Sequence, residues 1–105
     1  MNTLNVLLVC GSGASSGFMA ASMRQAVRER ALAIEITARS ESEIENYVDT
    51  IDVLMVGPHL EYILDEVEDY VGDHEVRVIL MRPEYYSTLD GSKALEHLLL
   101  EVNEG

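Results

Sequence analysis

Cys10 is the only cysteine of the 105-residue chain, and it stands where an apolar run meets a glycine- and serine-rich stretch. The run reads Leu4-Asn5-Val6-Leu7-Leu8-Val9; the stretch is Gly11, Ser12, Gly13, Ala14, Ser15, Ser16 and Gly17, followed by Phe18-Met19-Ala20-Ala21-Ser22-Met23. A buried strand here delivers a thiol to the first position of a loop that opens a helix. Small residues let the loop's N–H groups turn inward, and the helix start adds partial positive charge, so the concavity suits an oxyanion such as phosphate. The same field favours thiolate over thiol, the form that acts as nucleophile.

The plain alternative is that Cys10 is a small apolar core residue, since free cysteine is among the most buried types. So many small polar residues in seven positions are more than an inert connection needs, which favours function. Three chemistries use such a thiolate. A cysteine phosphatase requires five loop residues and then an arginine, whose fork clamps the phosphate oxygens in the transition state. That position holds Ser16, and the nearest arginine is Arg24, two turns along the helix. A dithiol redox site requires a second cysteine, and a one-cysteine redox sensor has no positive support. The third is a phosphoryl carrier, in which Cys10 accepts a phosphoryl group and passes it on. There the missing arginine makes sense, because a carrier must release what it binds and must not promote attack by water.

The elements that must position this loop alternate strand and helix. Strands are expected at 4–9, 33–38, 52–56 and 76–81, the second more exposed and at an edge. Helices are expected over 18–31 (Met19, Met23, Ala26, Val27 and Arg30 at spacings of three and four), from Ser40 or Ser42 through Val48, over 59–71, and from Leu89 or Gly91 to Val102. A loop bearing Tyr85 and Tyr86 precedes the last helix. Gly57-Pro58 stops the third strand and starts the third helix; Gly72 ends that helix. Right-handed crossovers then leave an α/β fold, a parallel four-stranded sheet with helices on both faces. Its ligand edge is the carboxyl end of the strands, where the loops after strands one, three and four open together.

Length allows one domain, residues 1–105. Seven basic against nineteen acidic residues give a net charge of −12, which excludes nucleic acid and anionic lipid as partners. No run is long enough to cross a membrane, no secretion signal is visible, and nothing implies disulfides, so the expected compartment is the cytoplasm. No metal site or cofactor is expected.

Cys10-Gly11-Ser12-Gly13-Ala14-Ser15-Ser16 after Val6-Leu7-Leu8-Val9 resembles the active-site loop of the lactose/cellobiose-type IIB component of the bacterial sugar phosphotransferase system. Ala21-Ser22-Met23-Arg24, then 52–59 with Tyr62 downstream, and Tyr86-Ser87-Thr88-Leu89-Asp90-Gly91 match that family in order. The resemblance implies a three-layer α/β/α unit with strand order 2-1-3-4. It implies that Cys10 takes phosphate from a phosphohistidine of the IIA component (EIIA) and gives it to a sugar held by the membrane permease (EIIC). That sugar is expected to be a disaccharide such as cellobiose, chitobiose or lactose, and the chain itself to be peripheral at the membrane through the permease. Gly11 to Gly17 would form the phosphate loop. A low-molecular-weight-phosphatase-like hydrolase and a non-catalytic regulatory module remain as alternatives.

Among other residues, His59 is the first candidate for a secondary phosphate contact, against the plainer reading of a solvent-facing helix start. His74 and His97 read as surface positions, and Arg82 as a solvated strand end. The acidic run from Glu61 to Glu75 reads first as a wet helix face, second as a docking surface. Phe18 is expected in the core, with a place on an apolar rim beside the loop as the alternative.

Overall fold

The two central strands are apolar at every inward position because both of their faces are covered. The computed structural model describes residues 3–9, 13–72 and 74–104. In β1 (Leu4–Val9) and β3 (Val53–Val56), side chains alternate between two cores. Val6, Leu8, Val53 and Met55 join one apolar cluster. Leu7, Val9, Leu54 and Val56 join the other. With β2 (Ile34–Arg39) and β4 (Arg77–Leu80) at the edges, the sheet is wholly parallel in the order β2-β1-β3-β4, as expected. Val9 lies opposite both Arg39 and Val56, and Val56 opposite Leu80, so the carboxyl ends are level.

On the first face lie α1 (Gly13–Glu29) and α5 (Gly91–Glu104), burying Met19, Met23, Ala26, Ala94, Leu95 and Leu98. On the second lie α2 (Ile44–Tyr47) and α3 (Leu64–Val71), burying Ile44, Val67 and Val71. The result is the expected three layers.

Several boundaries differ from expectation. Helix α1 starts at Gly13 rather than Phe18 and ends at Glu29. Its end is closed by Ala31 at φ 53°, with the N–H groups of Ala31 and Leu32 bonded to the carbonyls of Arg28 and Val27, each at 3.1 Å. Glycine usually supplies that left-handed closure. Ser40 makes no side-chain cap bond; its hydroxyl meets Ser42 Oγ at 2.9 Å, and a 3₁₀ turn at Glu41–Glu43 precedes α2. The single helix expected over 59–71 divides into a 3₁₀ segment, Pro58–Ile63, itself kinked where Leu60 leaves helical geometry at φ −106°, ψ 19°, and α3, which starts after Ile63. Gly72, at φ 45°, stops α3 as expected. Part of the expected loop around Tyr85 is a short helix, α4 (Pro83–Tyr86), which Pro83 starts. Helix α5 begins at Gly91 because Asp90 caps it, its Oδ1 accepting the Lys93 N–H at 3.1 Å.

Candidate active site at the carboxyl edge of the sheet

Parallel pairing brings the strand exits together. The Gly57 N–H donates to the Val9 carbonyl and the Met81 N–H to the Val56 carbonyl, both at 2.8 Å. The segments after β1, β3 and β4 therefore leave from one edge. Cys10, Gly11 and Ser12 lie outside the described residues, and only three positions separate the end of β1 from the start of α1. That helix is 17 residues long and has no acidic residue in its first turn, so the positive end of its dipole meets no counter-charge of its own.

The loop expected from Gly11 to Gly17 is thus shorter. Gly13, Ala14, Ser15 and Ser16 form the first turn of α1, where backbone N–H groups point out of the helix end. Gly17 belongs to the second turn, where an α-helical N–H is engaged along the helix itself. Gly17 is exposed, and a Cβ built on it meets nothing within 4 Å. Gly17→Ala is therefore expected to stabilise the protein by about 0.5–1 kcal/mol through helix propensity. Urea denaturation measures this, and a lowered midpoint would show that glycine is required there.

Arg24, the nearest arginine after Cys10 in the sequence, is committed elsewhere: its Nε donates to the Ile36 carbonyl at 3.0 Å, tying α1 to β2. His59 is exposed at the exit of β3, and its ring lies 5.4 Å from that of Tyr86, tilted by 44°. One aromatic from the β3 exit and one from α4 thus meet at this edge. Phe18, expected in the core, is 66% exposed, while Met19 and Met23 beside it are fully buried. Its alternative placement as an exposed apolar group is the one observed. Tyr62, in the 3₁₀ segment after β3, is 74% exposed.

His74 faces solvent at the opposite edge, with Nδ1 3.2 Å from Asp49 Oδ1. Arg82 is exposed and borders a cavity of about 250 Å³ with Glu84, Tyr85, Lys93, Glu96 and His97. His97 is not a surface residue. It is 8% exposed, its Nδ1 is 2.6 Å from the buried Tyr85 hydroxyl, and its Nε2 is 3.8 Å from Glu101. This pair fastens α4 to α5, and burial decides its titration. Desolvation, helped by the Arg82 charge, lowers the His97 pKa against an opposing pull from Glu101. Burial raises that of Tyr85. The folded state therefore favours neutral His97. Its contribution is fully present above the unfolded value of 6.5 and is lost as pH falls through the lower folded value. Accordingly, the stability gap between wild type and His97→Gln should narrow as pH drops from about 8 to about 5. Paired urea titrations check this, and a gap that widens contradicts it.

Among the described residues no three His, Cys, Asp or Glu side chains are grouped to hold a metal ion, and no helix is long and apolar enough to cross a membrane.

Comparison with known proteins agrees with this architecture. Residues 5–97 match the family described as "PTS system, Lactose/Cellobiose specific IIB subunit". The galactose-specific EIIB component of Lactococcus lactis subsp. cremoris (strain MG1363) is 26% identical over 95 residues, covering 86% of this chain and 88% of that protein. Among solved structures, the lactose-specific IIB domain from Streptococcus pneumoniae superposes with a TM-score of 0.83 at 17% identity, covering 93% of this chain and 96% of that one. The cellobiose-specific IIB protein from Borrelia burgdorferi superposes with a TM-score of 0.73 at 23% identity, covering 90% and 87%.

Proposed function

We propose that this chain, which belongs to the lactose/cellobiose-specific IIB family of the sugar phosphotransferase system, works as a phosphoryl carrier with Cys10 as the group that is loaded and unloaded. In the loading step the Cys10 thiolate attacks the phosphorus of a phosphohistidine on EIIA. The new S–P bond forms in line as the N–P bond breaks, and the electron pair returns to the imidazole nitrogen, which takes up a proton. In the unloading step a sugar hydroxyl held by EIIC attacks the same phosphorus. The S–P bond breaks, the thiolate is restored, and the hydroxyl proton leaves to solvent. Positioning and charge stabilisation carry both steps. Backbone N–H groups of residues 11–16 and the hydroxyls of Ser12, Ser15 and Ser16 are the proposed donors to the phosphoryl oxygens. His59 is the proposed secondary contact, and Gly17 falls outside the set.

The observation that supports this reading best is the three-residue passage from a central strand to the acid-free first turn of a 17-residue helix. A neighbouring strand exit is hydrogen-bonded to Val9, immediately before the cysteine. The hydrolase alternative is disfavoured by Arg24, whose guanidinium is held against β2. Its absence from the site removes about 3–4 kcal/mol of the charge stabilisation that hydrolysis relies on. The family's disaccharide chemistry makes cellobiose, chitobiose and lactose the first sugars to test, with galactose added from the Lactococcus relative. Incubation with phosphoenolpyruvate and the general phosphotransferase proteins, followed by intact-mass measurement, tests the proposal. A carrier gains one phosphoryl unit and does not hydrolyse an aryl phosphate. Unaided turnover of the aryl phosphate would identify a hydrolase, and neither result would leave a regulatory module.

A further inference from the structure

The net charge of this protein comes from one segment of the chain. Residues 40–76 contain twelve Asp and Glu and no Lys or Arg, whereas the remainder contains seven of each sign. The whole formal charge of −12 therefore belongs to the segment that builds the 3₁₀ turn at Glu41–Glu43, α2, β3, the 3₁₀ segment Pro58–Ile63 and α3. The rest of the chain, which includes α1 and α5, is neutral in sum. Among the described residues no acid of this segment pairs with a Lys or Arg; the one such pair is Arg30–Glu96, on the other layer. Like charges gathered this way oppose compaction; among the described residues His74, beside Asp49, and Arg39, on the Tyr47 hydroxyl, bring a basic group to this segment. Glu61, Asp65 and Glu66 are exposed beside the carboxyl edge, where the 3₁₀ segment and α3 begin. Tyr62, 74% exposed, follows Glu61 and stands three and four positions before Asp65 and Glu66. An exposed aromatic inside a one-signed field is the composition of a docking patch, with the ring as anchor and the charges setting partner and on-rate.

The sign identifies the partner. Anionic headgroups repel this layer, but short cytoplasmic loops of membrane proteins carry an excess of Lys and Arg. We propose that the anionic layer, anchored by Tyr62, is the face that docks on the Lys/Arg-rich cytoplasmic loops of the membrane-embedded sugar permease. The assignment rests on the carrier reading above, because a permease is the acceptor that reading requires.

Sedimentation with inverted membrane vesicles from the producing cells tests it. Wild-type protein should bind those vesicles, lose binding after trypsin treatment of their surface, and fail to bind protein-free phosphatidylglycerol liposomes. Binding should weaken at least about tenfold in Glu61→Lys/Asp65→Lys/Glu66→Lys, by less in Glu61→Gln/Asp65→Asn/Glu66→Gln, and about tenfold in 0.5 M salt. Glu29→Lys, on α1 and outside this segment, should bind as wild type does, and urea midpoints verify that each variant is folded. A photo-crosslinker at position 62 should capture a multi-spanning permease, identified by mass spectrometry. Absent binding, binding indifferent to the three charges, binding to bare liposomes, or capture of a soluble protein instead would each overturn the proposal. The two readings fail separately: a wild-type protein that takes up no phosphoryl group defeats the carrier, while a loaded carrier that ignores these charges defeats only the docking face.

Discussion

Gly91→Ala is expected to destabilise the protein by about 3 kcal/mol, at the upper end for adding one methyl group to a packed interior. A Cβ at this position runs into the backbone of Ser22 and Met23 on α1, with the Ser22 carbonyl oxygen 2.5 Å away. Backbone cannot rotate out of the way as a side chain can. The two helices must therefore separate where they bury Met23, Ala94 and Leu95, all fully inaccessible in the native state. The bond from the Gly91 N–H to Ser22 Oγ, 2.9 Å long, is lost as well. Ser22→Ala separates the two contributions, since it removes only the hydrogen bond and should cost about 1 kcal/mol. Urea midpoints of the two variants give the comparison. A Gly91→Ala protein as stable as wild type would mean that the α1–α5 approach is looser than described. This contact gives the Asp90-Gly91 pair a physical meaning: the aspartate caps α5, and the glycine lets it cross α1 at backbone distance.

Cys10→Ser is expected to reduce phosphoryl uptake at least about a thousandfold, a loss of roughly 4 kcal/mol of transition-state stabilisation. The replacement keeps the shape of the side chain but exchanges a readily ionised thiol for a hydroxyl that stays protonated near neutral pH. Nucleophilic catalysis depends on that ionisation. Stopped reactions with phosphorylated EIIA, read by intact mass, measure the loss. Retained uptake in the variant would move the acceptor to another residue.

Much of the architecture was legible because it rests on burial. Val6 to Val9 and Val53 to Val56 form continuous apolar runs, and a sheet covered on both sides needs such strands at its centre. The terminators Gly57-Pro58 and Gly72 act through backbone conformation, so they too could be read directly. What sequence reading missed depends on tertiary contact. Gly13, Ser15, Ser16 and Gly17 are weaker helix formers than Ala14 between them, and the stretch reads as loop, yet α1 begins there; local propensity yields to tertiary context. Phe18 reads as core from its chemistry, but it sits one position off the Met19–Met23–Ala26–Val27 stripe, and that offset was the available signal. His97 lies between Leu95 and Leu98 on the border of an apolar face. Its burial is decided by Tyr85 on α4, a helix absent from the sequence reading. The segregation of charge into residues 40–76 was countable in the sequence, but its meaning required knowing that α2, the 3₁₀ segments and α3 of that stretch cover one face of the sheet.

The chemical identity of the phosphorylated atom is the point on which the account turns. Phosphorus NMR of the protein loaded from phosphoenolpyruvate reads it directly. A single resonance of the sulfur-linked phosphate type, absent from Cys10→Ser, is the predicted result. A nitrogen-linked phosphate signal, from His59, His74 or His97, would contradict it.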